Sequence, residues 1–304
     1  MKALVVGATG LLGHALWRSW RSRPGWSAVG TSRAARAGLE RLELLDPRGS
    51  AALLAAASPD AVVIAASEPH VDFCEADPED TRRVNVEGTL ELAAAARRAG
   101  AKVVFFSSDY VFDGTRGGWT EADEPRPLNE YGRQKLAVER ELSGWGSGAL
   151  VLRVSGLFGW EFKPRNFVLR ARETLAAGKP LRVPSDQVYC PSYVGHLAER
   201  VGTLLERGAS GVYHLAGSEP FARDAWARAV AAEFGLDPAP VAGVPTGALP
   251  AGVAPRPLRS DLDSAKAAAF LGGPVPGGRA GLAAMRSDAA AWLPDLKALA
   301  GGGA

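Results

Sequence analysis

The sequence predicts an α/β protein with a doubly wound parallel sheet and a smaller C-terminal lobe. Short apolar or β-branched segments alternate with longer Ala- and Leu-rich segments over the first half of the 304 residues, which is typical of βαβ units. After about Leu157 charged helical segments take over, and a Pro- and Gly-rich tract follows at 237–257. We therefore expect a sheet domain at residues 1–156, joined by strands from about 181–215, and mainly the smaller lobe at 157–304.

The individual strands and helices follow from the local patterns. Apolar segments predict strands at residues 2–6, 27–31, 61–65, 102–107, 148–153 and 211–214. Helical periodicity predicts helices near residues 11–22, 48–57, 79–99, 130–142, 164–177 and 221–234. Gly100 follows the third helix, where a glycine suits the left-handed conformation that ends many helices. Right-handed crossovers would then place helices on both faces of the sheet.

Composition narrows the classes of function. With 47% hydrophobic and 22% charged residues and a net charge of +2, the chain should bury a core, and no basic stripe indicates a nucleic-acid partner. Cys74 and Cys190 are the only cysteines, and no Cys and His cluster has metal-ligand spacing, so we expect no metal and a reducing compartment. The absence of a signal-peptide pattern or a long apolar segment predicts a cytoplasmic protein without a membrane partner.

A glycine-rich motif lies between the first predicted strand and the first helix. Glycines there allow a tight turn and close approach to a pyrophosphate, and the helix N-terminus offers unpaired N–H groups. The alternative is a tight turn in a flavodoxin-like domain. We interpret the fold as a Rossmann-type domain that binds a dinucleotide through Gly7, Thr9, Gly10, Leu11, Leu12 and Gly13.

The end of the second strand favours NADPH over NADH. An NAD-selective domain would carry an acid here to hold the ribose 2′-hydroxyl, but the sequence has Ser32-Arg33. Arg33 can pair with a 2′-phosphate. In the alternative, Arg33 is a solvated loop cation and NADH remains a candidate cofactor.

A second group of candidate residues follows the fourth strand. Ser107 and Ser108 lie at the strand end, where open α/β sheets bind ligands. Tyr131 and Lys135 are four residues apart, so they share a helix face, and an ammonium beside a phenol should lower its pKa. Tyr131 would then transfer a proton, and Ser108 would hydrogen-bond a substrate carbonyl. The alternative is an ordinary aromatic at a helix start beside a surface cation.

Several motifs together resemble the dTDP-4-dehydrorhamnose reductase family of extended short-chain dehydrogenases. Besides the glycine motif, they are Val71 to Glu75, Val84 to Gly88, Ser107 to Gly114, Tyr131 to Lys135, Arg165-Asn166-Phe167, Asp186-Gln187 with Pro191-Ser192, and Arg256 to Asp263. The resemblance implies a catalytic triad of Ser108, Tyr131 and Lys135, with Lys135 also holding the nicotinamide ribose. It implies hydride transfer to the C4 ketone of a nucleotide-activated 4-keto-6-deoxy sugar, with Tyr131 supplying the proton.

The same resemblance assigns further residues. For the cofactor it implies Asp46 at the adenine edge, Ala65, Ala66, Ser67 and Ser107 along its path, and Asn85 as a brace for the active-site backbone. Asp46 has an alternative role as a helix cap. For the sugar nucleotide it implies Tyr110, Asn166, Gln187 and Arg256. Val188-Tyr189-Cys190 departs from the family, because a small glycine is usual there, and this change would narrow the pocket or add a stacking surface.

Two other functions compete with the reductase. The stretches at 7–13, 32–37, 65–69 and 107–115 also resemble the regulatory β subunit of methionine adenosyltransferase, which binds NADP and acts as an interaction partner. An epimerase of the same superfamily would regenerate its cofactor, but it would need an additional acid and base. A plain reductase fits the Ser108-Asp109-Tyr110 sequence better, and we expect a small-molecule partner and a homodimer.

Overall fold

The computed structural model describes residues 1–162, 164–250 and 252–301. Its strands, numbered along the chain, are β1 (Lys2–Val6), β2 (Ser27–Ser32), β3 (Glu40–Arg41), β4 (Ala61–Ile64), β5 (Lys102–Ser108), β6 (Ala149–Val154), β7 (Leu157–Phe158), β8 (Leu181–Pro184), β9 (Val188–Tyr189), β10 (Ser192–Tyr193), β11 (Gly211–His214), β12 (Phe221–Ala222) and β13 (Val241–Val244).

Seven of these strands form one parallel sheet in the order β11-β6-β5-β4-β1-β2-β3. All six predicted strands are present, each within two residues of its predicted bounds, so the predicted doubly wound fold is confirmed. The strand order reverses between β1 and β4. A sheet of this kind leaves a crevice at the carboxyl ends of those strands.

The helices are α1 (Leu11–Arg21), α2 (Pro47–Ala57), α3 (Val71–Ala76), α4 (Pro78–Arg82), α5 (Thr89–Arg98), α6 (Glu130–Ser143), α7 (Phe167–Ala176), α8 (Val194–Glu206), α9 (Arg223–Glu233), α10 (Ala265–Leu271) and α11 (Gly278–Gly301). The helix predicted over residues 79–99 consists of α4, a π-helical segment at Arg83–Gly88, and α5. Gly100 after it has φ +81°, the left-handed conformation predicted for this glycine. π-Helical turns are frequent at functional sites.

The sheet buries a hydrophobic cluster on each face. On one face α1 and α8 pack together, and the Trp20 indole donates a hydrogen bond to the Ala198 carbonyl at 2.9 Å. On the other face Leu92 of α5 and Val138 of α6 are buried against the strands. Because α8 comes from the C-terminal half, residues after 157 cover part of the sheet as well as forming the smaller lobe.

The C-terminal strands differ from the prediction in part. Of the strands between residues 181 and 215, β11 alone joins the seven-stranded sheet, whereas β8, β9 and β10 form two-stranded ribbons with β13, β12 and β7. These strands have two to four residues, so their short pairings satisfy local backbone groups only. The Pro- and Gly-rich tract is not wholly irregular, since it contains β13. Within the described residues, no helix is long and apolar enough to cross a membrane.

Candidate active site

The strand end of β5 and the first turn of α6 bring the predicted catalytic residues together. Asn129 caps α6, because its side-chain oxygen accepts a hydrogen bond from the Gly132 N–H at 2.9 Å. A Cβ at Gly132 would collide with the Tyr110 carbonyl oxygen. The glycine therefore lets the start of α6 approach the segment that follows β5, and Tyr131 comes to lie near Ser108.

Lys135 is almost fully buried beneath Tyr131. Its Nζ donates a hydrogen bond to the Phe106 carbonyl at 3.1 Å and lies 5.6 Å from the centroid of the Tyr131 ring. Burial lowers the pKa of Lys135 to about 8, against the opposing effects of Cys74 and Glu139. The side chain is thus a cation whose charge is only weakly favoured at neutral pH.

The pKa of Tyr131 is shifted opposite to the predicted direction. Burial raises this pKa, the negative charge of Asp109 adds to the increase, and interaction with the Ser108 hydroxyl opposes it. The expected lowering by Lys135 is wrong for this structure, because desolvation of the phenolate is the larger effect. The phenol therefore stays protonated at neutral pH, which is the form that can donate a proton.

Asp109 connects three serine side chains next to Tyr131. Its carboxylate accepts hydrogen bonds from the Ser108, Ser155 and Ser260 hydroxyls at 2.9, 2.8 and 2.6 Å. Burial raises the pKa of Asp109, and the three serine hydrogen bonds oppose that increase. Sequence reasoning missed Asp109, Ser155 and Ser260 as a unit, since their separation along the chain leaves no spacing pattern.

Asn85 connects the loop after β4 to α6. Its side-chain oxygen accepts a hydrogen bond from the Glu68 N–H at 2.7 Å, and its Nδ2 donates to the Gln134 Oε1 at 2.8 Å. Gln134 lies between Tyr131 and Lys135 and was not singled out from the sequence. The pair fixes the loop after β4 relative to α6, the helix that carries Tyr131 and Lys135.

The glycine-rich loop makes a tight turn between β1 and α1. Gly7 has φ +91°, and a Cβ there would lie 2.9 Å from the Ala66 Cα. A Cβ at Gly13 would collide with the Gly7 carbonyl. Gly10 precedes α1 without a side-chain cap, which leaves the first N–H groups of the helix available. Thr9 and Gly10 are exposed, Leu11 is half-buried, and the side chain of Leu12 is part of the core.

The remaining predicted cofactor residues lie along the same edge of the sheet. Arg33 is exposed directly after β2. Ala65, Ala66 and Ser67 are half-buried directly after β4, and Ser107 is buried at the end of β5. Asp46 caps α2 by accepting a hydrogen bond from the Gly49 N–H at 3.1 Å, so its alternative role as a cap is present in the structure.

The four predicted substrate residues make different contacts in the structure. The Tyr110 ring stands edge-on to the Tyr131 ring, with centroids 6.2 Å apart. The Gln187 Oε1 accepts a hydrogen bond from the Arg223 Nε at 2.8 Å. Asn166, by contrast, caps α7, and Arg256 pairs with Asp72 at 2.9 Å. The structure therefore brings Tyr110 near Tyr131 and engages Gln187, Asn166 and Arg256 in contacts with other side chains or with the backbone.

No group of three or more His, Cys, Asp or Glu side chains among the described residues is arranged to hold a metal ion. The side chains described above offer phenol, amine, hydroxyl and carboxyl groups at the site.

The seven-stranded parallel sheet, the glycine turn after β1 and the Tyr131 and Lys135 pair at the carboxyl edge define an extended short-chain dehydrogenase/reductase fold. More specifically, the chain belongs to the family described as RmlD substrate binding domain, whose model matches residues 1–290.

The chain is similar to proteins with different roles. Methionine adenosyltransferase 2 subunit beta of Xenopus tropicalis is 33% identical over 276 residues, 87% of this chain and 81% of that protein. A probable low-salt glycan biosynthesis reductase of Haloferax volcanii is 35% identical over 224 residues, 71% of this chain and 74% of that protein. The crystal structure of a dTDP-4-dehydrorhamnose reductase from Clostridium acetobutylicum is 26% identical with a TM-score of 0.84, covering 94% of this chain and 99% of that chain.

Proposed function

We propose that the protein reduces the keto group of a nucleotide-activated 4-keto-6-deoxy sugar with NADPH. The observation that carries this proposal is the protonated, half-buried phenol of Tyr131, which lies near Ser108 and beside Lys135 at the carboxyl edge of the sheet. The family and the relatives described as reductases support the reaction class.

The residues present fit a nicotinamide dinucleotide. The turn from Gly7 to Gly13 would take the pyrophosphate, and Arg33 would pair with the 2′-phosphate that distinguishes NADPH from NADH. Lys135 would hold the nicotinamide ribose. When bound, the reduced cofactor would supply a hydride to the substrate carbon.

The chain's own groups would then complete the reduction. Tyr131 donates its proton to the substrate oxygen as negative charge develops there, and the Ser108 hydroxyl hydrogen-bonds the same oxygen. The Lys135 ammonium stabilises the resulting phenolate, since opposite charges at this distance favour the ionised form. A proton from water restores the phenol.

The direct test is to mix the protein with NADPH and dTDP-4-keto-6-deoxyglucose and follow absorbance at the nicotinamide band. The proposal predicts consumption of one NADPH per sugar reduced. Product formation without net NADPH consumption would support an epimerase instead. No turnover of any keto sugar nucleotide in a panel would contradict the proposal.

A regulatory role is the second candidate, because the similarity to methionine adenosyltransferase 2 subunit beta covers 87% of the chain. In that case the protein would bind NADPH without turnover and would co-purify with a larger enzyme. A pull-down from the native organism, combined with the turnover assay, separates the two functions. An intact Ser108, Tyr131 and Lys135 set favours the reductase.

A further inference from the structure

An arginine without a carboxylate partner lies beside the proposed catalytic residues. Arg223 begins α9, and its backbone N–H donates to the Gln187 carbonyl at 3.1 Å, which continues the pairing between β9 and β12. Its Nε donates to the Gln187 side chain at 2.8 Å. None of the ion pairs formed by the described residues includes Arg223.

Aromatic rings hold this guanidinium in place. Its central carbon lies 4.6 Å from the centroid of the Tyr189 ring and 6.0 Å from that of Phe167. A guanidinium stacked on a ring keeps its N–H edge directed outward, where it can form a two-pronged contact with an anion. Gln187 occupies the Nε donor, and the guanidinium also interacts with the Tyr110 hydroxyl through a side-chain hydrogen bond. A guanidinium has five N–H donors, so the remaining terminal N–H groups of Arg223 can take an incoming ligand.

A buried polar atom beside Arg223 also has no partner. Tyr189 is only 5% exposed, and its hydroxyl forms no hydrogen bond with any described residue. Arg223 is the largest influence opposing the burial that raises the pKa of this phenol. Buried polar groups are almost always paired, so an unpaired hydroxyl next to a guanidinium that has no carboxylate partner indicates that an anionic ligand with oxygen atoms completes both.

The positive charge of Arg223 affects the pKa values of two groups directly after β5. Burial raises the pKa values of Tyr110 and Asp109, and the positive charge of Arg223 opposes the increase at both groups. The Tyr110 ring in turn contacts Tyr131 edge-on. Arg223 is therefore close enough to Asp109 and Tyr110 to act on both groups electrostatically.

We propose that Arg223, oriented by Gln187, binds the diphosphate of the nucleotide-sugar substrate, with the Tyr189 hydroxyl as an additional donor. This assignment rests on the proposed function and names the group that places the sugar. Phosphate oxygens match the planar donor edge of arginine. Anchoring the diphosphate there fixes how far the sugar extends toward Tyr131, so Arg223 determines which ring carbon meets the proton donor.

The test is equilibrium binding of dTDP, UDP, GDP and thymidine by calorimetry, with NADPH binding followed by fluorescence. Arg223→Gln should raise the Kd of the preferred nucleoside diphosphate about 10- to 100-fold, the range for loss of a charge-assisted hydrogen-bonded pair. Thymidine and NADPH affinities should stay unchanged. Arg223→Lys should recover part of the loss, because it keeps the charge without the planar fork.

The matched control is Arg279→Gln, which removes the same charge from an exposed arginine of the C-terminal half that pairs with Glu219. It should leave every affinity unchanged. Unaltered diphosphate binding in Arg223→Gln, or no binding of any nucleoside diphosphate to the wild type, would overturn the assignment. Diphosphate binding that depends on Arg223 without NADPH turnover would leave the site standing while the reductase function fails. Turnover of the keto sugar nucleotide by Arg223→Gln with an unaltered substrate KM would support the reductase function and overturn the assignment of Arg223.

Discussion

Raising the pH should remove the charge of Lys135 within a range that enzyme assays reach easily. Burial lowers the pKa of this amine from 10.5 to about 8. At about 1.4 kcal/mol per pKa unit, the difference of 2.5 units means that charging the buried amine costs about 3 kcal/mol more than charging it in water. The proposed roles of Lys135 require the ammonium, so activity should follow its protonation.

The informative measurement is the pH dependence of kcat/KM for NADPH between pH 6 and 10, because kcat/KM reports groups of the free enzyme. We expect an alkaline limb with a pKa of about 8, falling tenfold per pH unit. The contribution of Lys135 to the free energy of unfolding should instead increase with pH. In the unfolded chain the amine keeps its proton up to about pH 10.5, so between the two pKa values the unfolded state binds more protons and stability from this group rises with pH.

Activity should fall with rising pH while the stability contributed by Lys135 rises, so a loss of activity by deprotonation can be distinguished from a loss by unfolding. Lys135→Arg should move the alkaline limb beyond pH 10, provided that the variant folds as judged by its melting curve. Lys102→Gln is the matched control, because burial also lowers the pKa of Lys102, which lies at the start of β5 away from the site. A kcat/KM profile that stays flat from pH 7 to 10, or one that follows the melting temperature, would refute the reasoning.

Three further substitutions test separate parts of the structure. Tyr131→Phe should lower kcat about 10²- to 10⁴-fold by removing the proton donor while the NADPH Kd stays constant; steady-state rates near those of the wild type would rule out Tyr131. Arg33→Ala should weaken NADPH binding and leave NADH binding unchanged, as measured by fluorescence titration; equal effects on both would make Arg33 an ordinary loop cation. Glu139→Gln should lower the free energy of unfolding by about 3–5 kcal/mol in urea denaturation, because it leaves the buried Arg153 guanidinium without its carboxylate; a change below about 1 kcal/mol would contradict that account.

The sheet was predicted well from the sequence because each buried parallel strand is a short apolar segment. Such a segment can be recognised without knowing its distant contacts. The sequence-based prediction missed α11, whose Ala- and Leu-rich sequence favours a helix but is interrupted by Gly281 and Pro294. Tertiary packing compensates, since Met285 and Trp292 of this helix are almost fully buried. It also missed α8, which directly follows the two-residue strand β10 and has no side-chain cap. Local propensity is a weak guide where packing supplies the stability.

The candidate site could be predicted where the spacing of residues along the chain determines their relative positions in a helix or at the end of a strand. Tyr131 and Lys135 share a helix face, and Ser108 lies at a strand end, so short patterns were enough. Ser260 and Arg223 reach the same region only through the folded C-terminal half, and no pattern along the chain could have connected them with Asp109. The direction of the Tyr131 pKa shift failed for a related reason, because burial by distant segments outweighs the neighbouring lysine.

Exclusion from water shifts all three central groups toward their neutral forms. Burial raises the pKa values of Tyr131 and Asp109 and lowers that of Lys135. A protonated phenol is ready to give a proton to a substrate oxygen, as a reduction requires, whereas the oxidative first step of an epimerase would need the phenolate as a base. The desolvation that stabilises the neutral phenol also makes it a weaker acid, because the phenolate left after proton transfer is disfavoured as well. The positive charge of Lys135 must offset that cost, so the proposed proton transfer depends on the ammonium form of Lys135.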